Sequence, residues 1–150
     1  MLSHSSTTGN ELIKYAKKNN IPLRRVCFKD KLNDEIPCHG GYIINMADST
    51  EHGTHWIALY LAKYGKHCQA IYFDSFGKEP PIDIMTLSFC KRYGVIELLV
   101  NNNQIQSINS GFCGQYCLDF LYFMTHQKGS LKERFYKFTN VYIQEDIQQE

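Results

Sequence analysis

Residues 106–126 read Q-S-I-N-S-G-F-C-G-Q-Y-C-L-D-F-L-Y-F-M-T-H, and the change of character within this stretch decides the fold. It opens polar and loop-like, passes through Gly111, and turns almost wholly apolar from Cys113 onward. The polar exceptions are Gln115, Asp119 and His126, with Tyr122 between them, at spacings of 4, 3 and 4. Polar residues at that period share one stripe of an α-helix and leave the rest of its surface apolar. The stretch therefore predicts a helix buried on most of its sides, with Cys113 where loop becomes helix.

That is a favourable place for a reactive cysteine. The first turn of a helix carries unpaired backbone N–H groups and a partial positive charge. Both favour the thiolate, which is the nucleophilic form. Gly114 lets a substrate carbonyl come close to the backbone. Cys117, one turn further on the same apolar face, reads as a core residue. A buried structural thiol is the commoner use of a cysteine, so Cys113 needs partners before it becomes a site.

Working outward, Val95 to Val100 is a buried strand and Asn101 to Asn103 a loop. Ile82 to Tyr93 has helical spacing, with Pro81 at its start and Gly94 as its stop. His55 to Ala62, H-W-I-A-L-Y-L-A, is a buried strand that turns at Lys63 to Lys66 and returns over His67 to Asp74, a β-hairpin. Tyr42 to Met46 is a short strand, followed by a polar loop over 47–54. Leu23 to Pro37 reads as irregular, with Arg24, Arg25, Lys29 and Lys31 on a solvated face. Residues 11–19 form a helix with Asn10 as N-cap, behind a polar lead. Downstream, Ser130-x-x-Glu133 is a capping box opening a short helix to about Phe138, and Gln144 to Glu150 is a polar tail. The order predicts an α+β fold: a mostly antiparallel sheet flanked by helices, in a single domain spanning 1–150.

Composition agrees with one globular domain, since 150 residues with 43% hydrophobic content suffice for a core. A net charge of +1 gives no strong attraction to nucleic acid. No apolar run reaches the ~20 residues that cross a membrane. The polar N-terminus has no signal-peptide core, so the six cysteines are expected to be free thiols inside a cell.

A thiol hydrolase needs a base, a group to orient it, and donors for the oxyanion. With the hairpin turn centred between Tyr64 and Gly65, paired residue numbers sum to 129 and His55 faces Asp74. Their Cβ atoms would then be about 5 Å apart. A one-residue slip would send the two side chains to opposite faces. Singly, His55 is a strand-edge histidine and Asp74 a turn cap; their apposition makes them a base and its orienter. Gln106 or Gln104 offers a side-chain amide for the oxyanion beside the Cys113 N–H, and spacing does not choose between them. Trp56 points to the face opposite His55 and packs in the core, or shields the pair if the strand bulges. A zinc site from Cys38, His39, His52 and His55 is the rival chemistry, but the spacing is irregular and lacks a C-x-x-C pair. No metal and no other cofactor is expected.

Three separated motifs, G-T-H-W-I-A at 53–58, Y-F-D-S-F-G at 72–77 and I-Q-S-I-N-S-G-F-C-G at 105–114, occur in one order. Together they resemble the adenovirus endopeptidase (adenain) family and the related cysteine proteases of Polinton elements and virophages. E-L-I-K-Y at 11–15 and Y-I-I-N at 42–45 sit where that family has its first helix and first core strand, so the resemblance covers nearly the whole chain. It implies a papain-like site with rearranged chain order, made of His55, Asp74, Gln106 and Cys113, and it selects Gln106 over Gln104. The acid is Glu in the adenovirus enzyme and Asp here. The implied activity is that of a cysteine endopeptidase cleaving viral capsid precursor proteins during virion maturation, within the virion and the host cytoplasm or nucleus. A narrow cleft would explain the family's preference for small residues, often Gly, around the cut.

Two departures bear on partners. The adenovirus enzyme holds an activating peptide through a disulfide to a cysteine about eleven residues before its Gln; here that position is Val95, and Cys90 falls in the predicted helix. A peptide activator of this chain would bind without a disulfide. The adenovirus enzyme is also basic and uses DNA, whereas a net charge of +1 argues against DNA dependence. Two other readings stand beside the endopeptidase. Ubiquitin-like-protein deconjugating proteases share the four residue types but usually place Gln six residues before D-C-G, against seven and F-C-G here. The other is a non-enzymatic, virion-associated binding module.

Overall fold

The apolar run from Trp56 forms the middle strand of a five-stranded sheet, and everything else packs around it. A computed structural model of the chain describes residues 8–47, 55–80, 85–101, 103–105 and 113–149. In chain order the elements are α1 (Gly9–Lys18), β1 (Leu23–Phe28), a 3-10 helix (Lys29–Asp34), β2 (Gly40–Asn45), β3 (Trp56–Tyr64), β4 (His67–Phe73), α2 (Met85–Tyr93), β5 (Val95–Val100), α3 (Cys113–His126) and α4 (Leu131–Gln149). The strands lie in sequence order across the sheet. The central three are antiparallel, and β1 and β5 join the edges in parallel. The α+β class is as expected, and the sheet is mixed.

Strand β3 is apolar on both faces because both faces are covered. Trp56, Ala58 and Tyr60 belong to a core shared with Leu12 of α1, Cys117 and Leu118 of α3, and Phe138 of α4. Ile57, Leu59 and Leu61 join a second core with Leu32 of the 3-10 helix and Phe89 of α2. Helix α3 lies so close to β2 that a Cβ on Gly41 would stand 2.7 Å from a Leu121 methyl. Further along, the Phe120 ring stacks on Phe73 at 4.8 Å, and Phe138 meets both edge-on. The polar stripe of α3 is also present: Gln115 Nε2 donates to Asp119 Oδ1 at 2.8 Å, and the Tyr122 ring stacks on His126.

Four local expectations are corrected. The N-cap of α1 is Thr8, not Asn10: the Thr8 side chain accepts the Glu11 N–H while Glu11 reaches back to the Thr8 N–H. Leu23 to Pro37 is not irregular but holds β1 and the 3-10 helix. Its charged residues concealed a strand whose pairing with β2 is parallel and remote in sequence. The hairpin pairs sum to 131 rather than 129, with Tyr64 opposite His67. Gly65 has φ +63 and opens a two-residue loop, and such loops require a positive φ at their first residue. Finally, α4 runs to Gln149, well beyond Phe138, because no Gly or Pro interrupts it. Of the predicted helix over 82–93, positions 82–84 lie outside the described residues, as does most of the 47–54 loop.

Candidate active site

His55 stands immediately before β3, and Asp74 immediately after β4. Two adjacent antiparallel strands therefore present them at one end of the sheet. The two-residue change in register keeps both side chains on one face, since side chains alternate with period 2. His55 Nε2 lies 2.8 Å from Asp74 Oδ1. Continued beyond the last pair, the observed register sets His55 opposite Phe76, whose ring stacks on the imidazole at 4.4 Å and 16°. Phe76 thus occupies the shielding place considered for Trp56. Trp56 instead packs in the core beneath α1 and α3, as its alternate-face position implies.

Asp74 is held as firmly as it holds. Its Oδ1 also accepts the Phe76 N–H at 2.8 Å, a local turn that pins the carboxylate. An ionised carboxylate only accepts, so Nε2 carries the hydrogen and Nδ1 is the basic nitrogen. Nδ1 is buried and has no hydrogen-bond partner.

Cys113 is the first residue of α3 and is buried at 6% exposure. The Trp56 N–H donates to its Sγ at 3.4 Å, which ties the sulfur to the residue that follows His55. The His55 pKa records all these neighbours. Burial is the largest influence and disfavours the imidazolium. Hydrogen bonding to Asp74 and to Cys113, and the charges of both, outweigh it and raise the value from 6.5 to about 9. Cys113 therefore acts on the imidazole from beside it, without a hydrogen bond of ordinary geometry to Nδ1. His55, Asp74 and Cys113 are thus brought together from three separate segments. Gln106 lies outside the described residues; Gln104 is exposed, and Ile105 is buried in the core.

No protein-family description matches the chain, and no curated protein matches it. Solved structures do. The ASFV pS273R protease superposes with a TM-score of 0.61 at 17% identity, over 88% of this chain and 62% of its own. The chain has an adenain-like cysteine protease fold. It spans 62% of the length of that protease, which is the longer chain. A structure of AvrA with IP6 and CoA matches at a TM-score of 0.51 and 17% identity, over 76% of this chain and 47% of its own.

Of the other five cysteines in this adenain-like fold, Cys27, Cys90 and Cys117 are buried and Cys38 and Cys68 are partly exposed. All six are free. Burial pushes the thiol of Cys27 up to about 11, that of Cys90 up to about 12, and that of Cys117 well above its ordinary value. Cys38 hydrogen-bonds with Tyr42, and His39 packs edge-on against Tyr60. Among the described residues no three His, Cys, Asp or Glu gather as metal ligands; His52 of the rival zinc set lies outside them. Also among the described residues, no helix is long and apolar enough to cross a membrane.

The raised His55 pKa has a consequence for stability. A group with a higher pKa folded than unfolded stabilises fully below its unfolded value and loses that contribution as pH rises through the folded value. For His55 the window is pH 6.5 to about 9. Denaturation midpoints of wild type and His55→Gln should therefore converge across that window. Parallel curves would mean that the imidazole gains nothing from its neighbours on folding.

Sequence reasoning missed two contributors. Phe76 lies within the quoted motif at 72–77, but its stacking depends on the true register. Asn101 sits in a run of three asparagines that reads as plain loop, and its contacts span 27 positions of the chain.

Proposed function

We propose that the chain is a cysteine endopeptidase that cleaves viral capsid precursor proteins during particle maturation. The observation that carries this reading is the His55–Asp74 contact at 2.8 Å, with the basic Nδ1 of the same ring buried and unpartnered beside a helix-start cysteine. An acid that fixes the ring, a free basic nitrogen and a thiol at a helix N-terminus are the parts of an activated nucleophile.

In this mechanism the Cys113 proton resides on His55 Nδ1, giving a thiolate and an imidazolium. The thiolate attacks the scissile carbonyl. The Cys113 backbone N–H, free of an intrahelical partner at the first turn, donates to the oxyanion together with the Gln106 amide. Nδ1–H passes its proton to the leaving amine as the C–N bond breaks, and an acyl thioester remains. Water then attacks, gives its proton to Nδ1 and releases the acid, restoring the thiolate. The Asp74 carboxylate stabilises the imidazolium and keeps Nδ1 aimed at the sulfur.

The substrates in this reading are precursor proteins of the virus that encodes the chain, cut in the virion or in the host cell interior. A peptide activator, if one acts, binds without a disulfide, and DNA is not required. Two measurements test it. Alkylation at pH 6, where an ordinary thiol is almost wholly protonated, should modify Cys113 far faster than the other five. Incubation with capsid precursors of the same virus, followed by mass mapping of new termini, should yield discrete cuts. Equal sluggishness of all six cysteines favours a binding module, and cleavage confined to ubiquitin-like conjugates favours a deconjugating protease.

A further inference from the structure

The parallel ladder between β4 and β5 ends at the pair Tyr72 and Val100. Where the next rung would fall, a side chain takes its place. Asn101 is 4% exposed. Its Oδ1 accepts the Asp74 backbone N–H at 3.0 Å, and its Nδ2 donates to the Asp74 carbonyl at 2.6 Å and to the Asn103 carbonyl at 3.3 Å. One amide therefore grips both main-chain polar groups of the residue that orients His55. The two loops are stitched again further on: the Ile105 N–H donates to the Ser75 carbonyl at 2.8 Å. At Gly77, φ is +73, and an added Cβ would stand 2.8 Å from the backbone of Asn103 and Gln104. These contacts fix the Asp74 main chain, and the Phe76 N–H fixes its carboxylate.

We infer that Asn101 is a positioning residue for catalysis, acting through Asp74. Its side-chain hydrogen bonds go to main-chain groups of Asp74 and Asn103. Its task is to hold the Asp74 peptide in register so that the carboxylate stays in hydrogen-bond contact with Nε2. A ladder rung would do this less well here, because the chain leaves the strand at Asp74 to turn through Ser75 and Phe76. A primary amide supplies one acceptor and two donors at the end of a short stem, which suits a diverging strand. Removing it leaves the Asp74 N–H without its partner and leaves the Asp74 carbonyl held by the Gly77 N–H alone. The Asp74 backbone then moves toward water, and the carboxylate moves with it.

This inference rests on the peptidase reading, and its test separates the two. The His55 titration is followed by NMR in substrate-free protein, with its resonance assigned through His55→Gln. In Asn101→Ala the His55 pKa should fall by about one pH unit or more toward its ordinary value, because the neighbour that holds the proton is loosened. In the same variant kcat should fall on the order of tenfold with KM little changed, a part of what acid–base catalysis supplies. Asn101→Ser, whose hydroxyl keeps one donor and an acceptor on a shorter stem, should lie between wild type and Asn101→Ala. If Asn101→Ala does not fold, Asn101→Ser carries the same measurement. A variant that melts earlier but titrates His55 as wild type does would overturn the inference, since Asn101 would then be structural only. Wild type that hydrolyses no peptide while its His55 responds to Asn101 would instead overturn the peptidase reading.

Discussion

Replacing Cys113 by Ala is expected to abolish peptide hydrolysis while the fold persists. The substitution removes the sulfur, which accepts the Trp56 N–H, and keeps the backbone N–H assigned to the oxyanion. Alanine keeps the Cβ in the core and is the best helix former, so α3 starts as before. One backbone N–H loses a weak sulfur acceptor, which costs about 1 kcal/mol. The loss in turnover is far larger. Without a nucleophile only oxyanion binding and substrate positioning remain, and kcat should drop on the order of 10⁴-fold or more. The paired control is Cys117→Ala. Cys117 is fully buried one turn along the same helix, and its truncation opens a small cavity without touching the reacting groups. It should lower the melting temperature and leave kcat/KM near wild type. Circular dichroism melts and peptide kinetics on both variants decide the matter. Hydrolysis retained by Cys113→Ala would remove the thiol from the mechanism.

Asp74→Asn carries the second largest expected effect, a fall in kcat on the order of 100-fold. Asparagine keeps the size of the side chain and an oxygen for the Phe76 N–H, so the turn after β4 survives. The negative charge beside the imidazole does not survive. Asp74 raises the His55 pKa through both a hydrogen bond and its charge, against the burial that lowers it. With burial left in place and the charge gone, the imidazolium should lose its proton at a lower pH. In wild type the alkaline limb of activity should fall near pH 9, where His55 loses its proton. In Asp74→Asn that limb should move toward neutrality, and activity at pH 8 should suffer more than activity at pH 6. A rate that drops equally at every pH, with the limb unmoved, would assign Asp74 a purely geometric role.

Some parts of the site were legible because they are local. The helix over Cys113–His126 follows from a polar stripe at helical period, and each residue of that stripe reports on the same short segment. The buried hairpin follows from an unbroken apolar run bounded by a turn. His55 and Asp74 were found together although the register was two residues off. An error of two keeps both side chains on one face, whereas an error of one would have hidden the pair. The choice of Gln106 over Gln104 as the proposed oxyanion donor rests on family resemblance rather than spacing, because a loop can bring either to one place.

By itself the sequence determined which chemical groups are present, that Cys113–His126 is a helix and that a buried hairpin runs through the centre, and that His55 and Asp74 share a face. These depend on periodicity within a few residues. Tertiary structure alone decided that β1 and β5 join the sheet in parallel, that Phe76 covers the imidazole, and that Asn101 grips Asp74. Each of those depends on segments meeting across the sheet edge or across a loop. The free energy of such a meeting lies in burial and in completing hydrogen bonds between distant segments, which no local pattern of residues encodes.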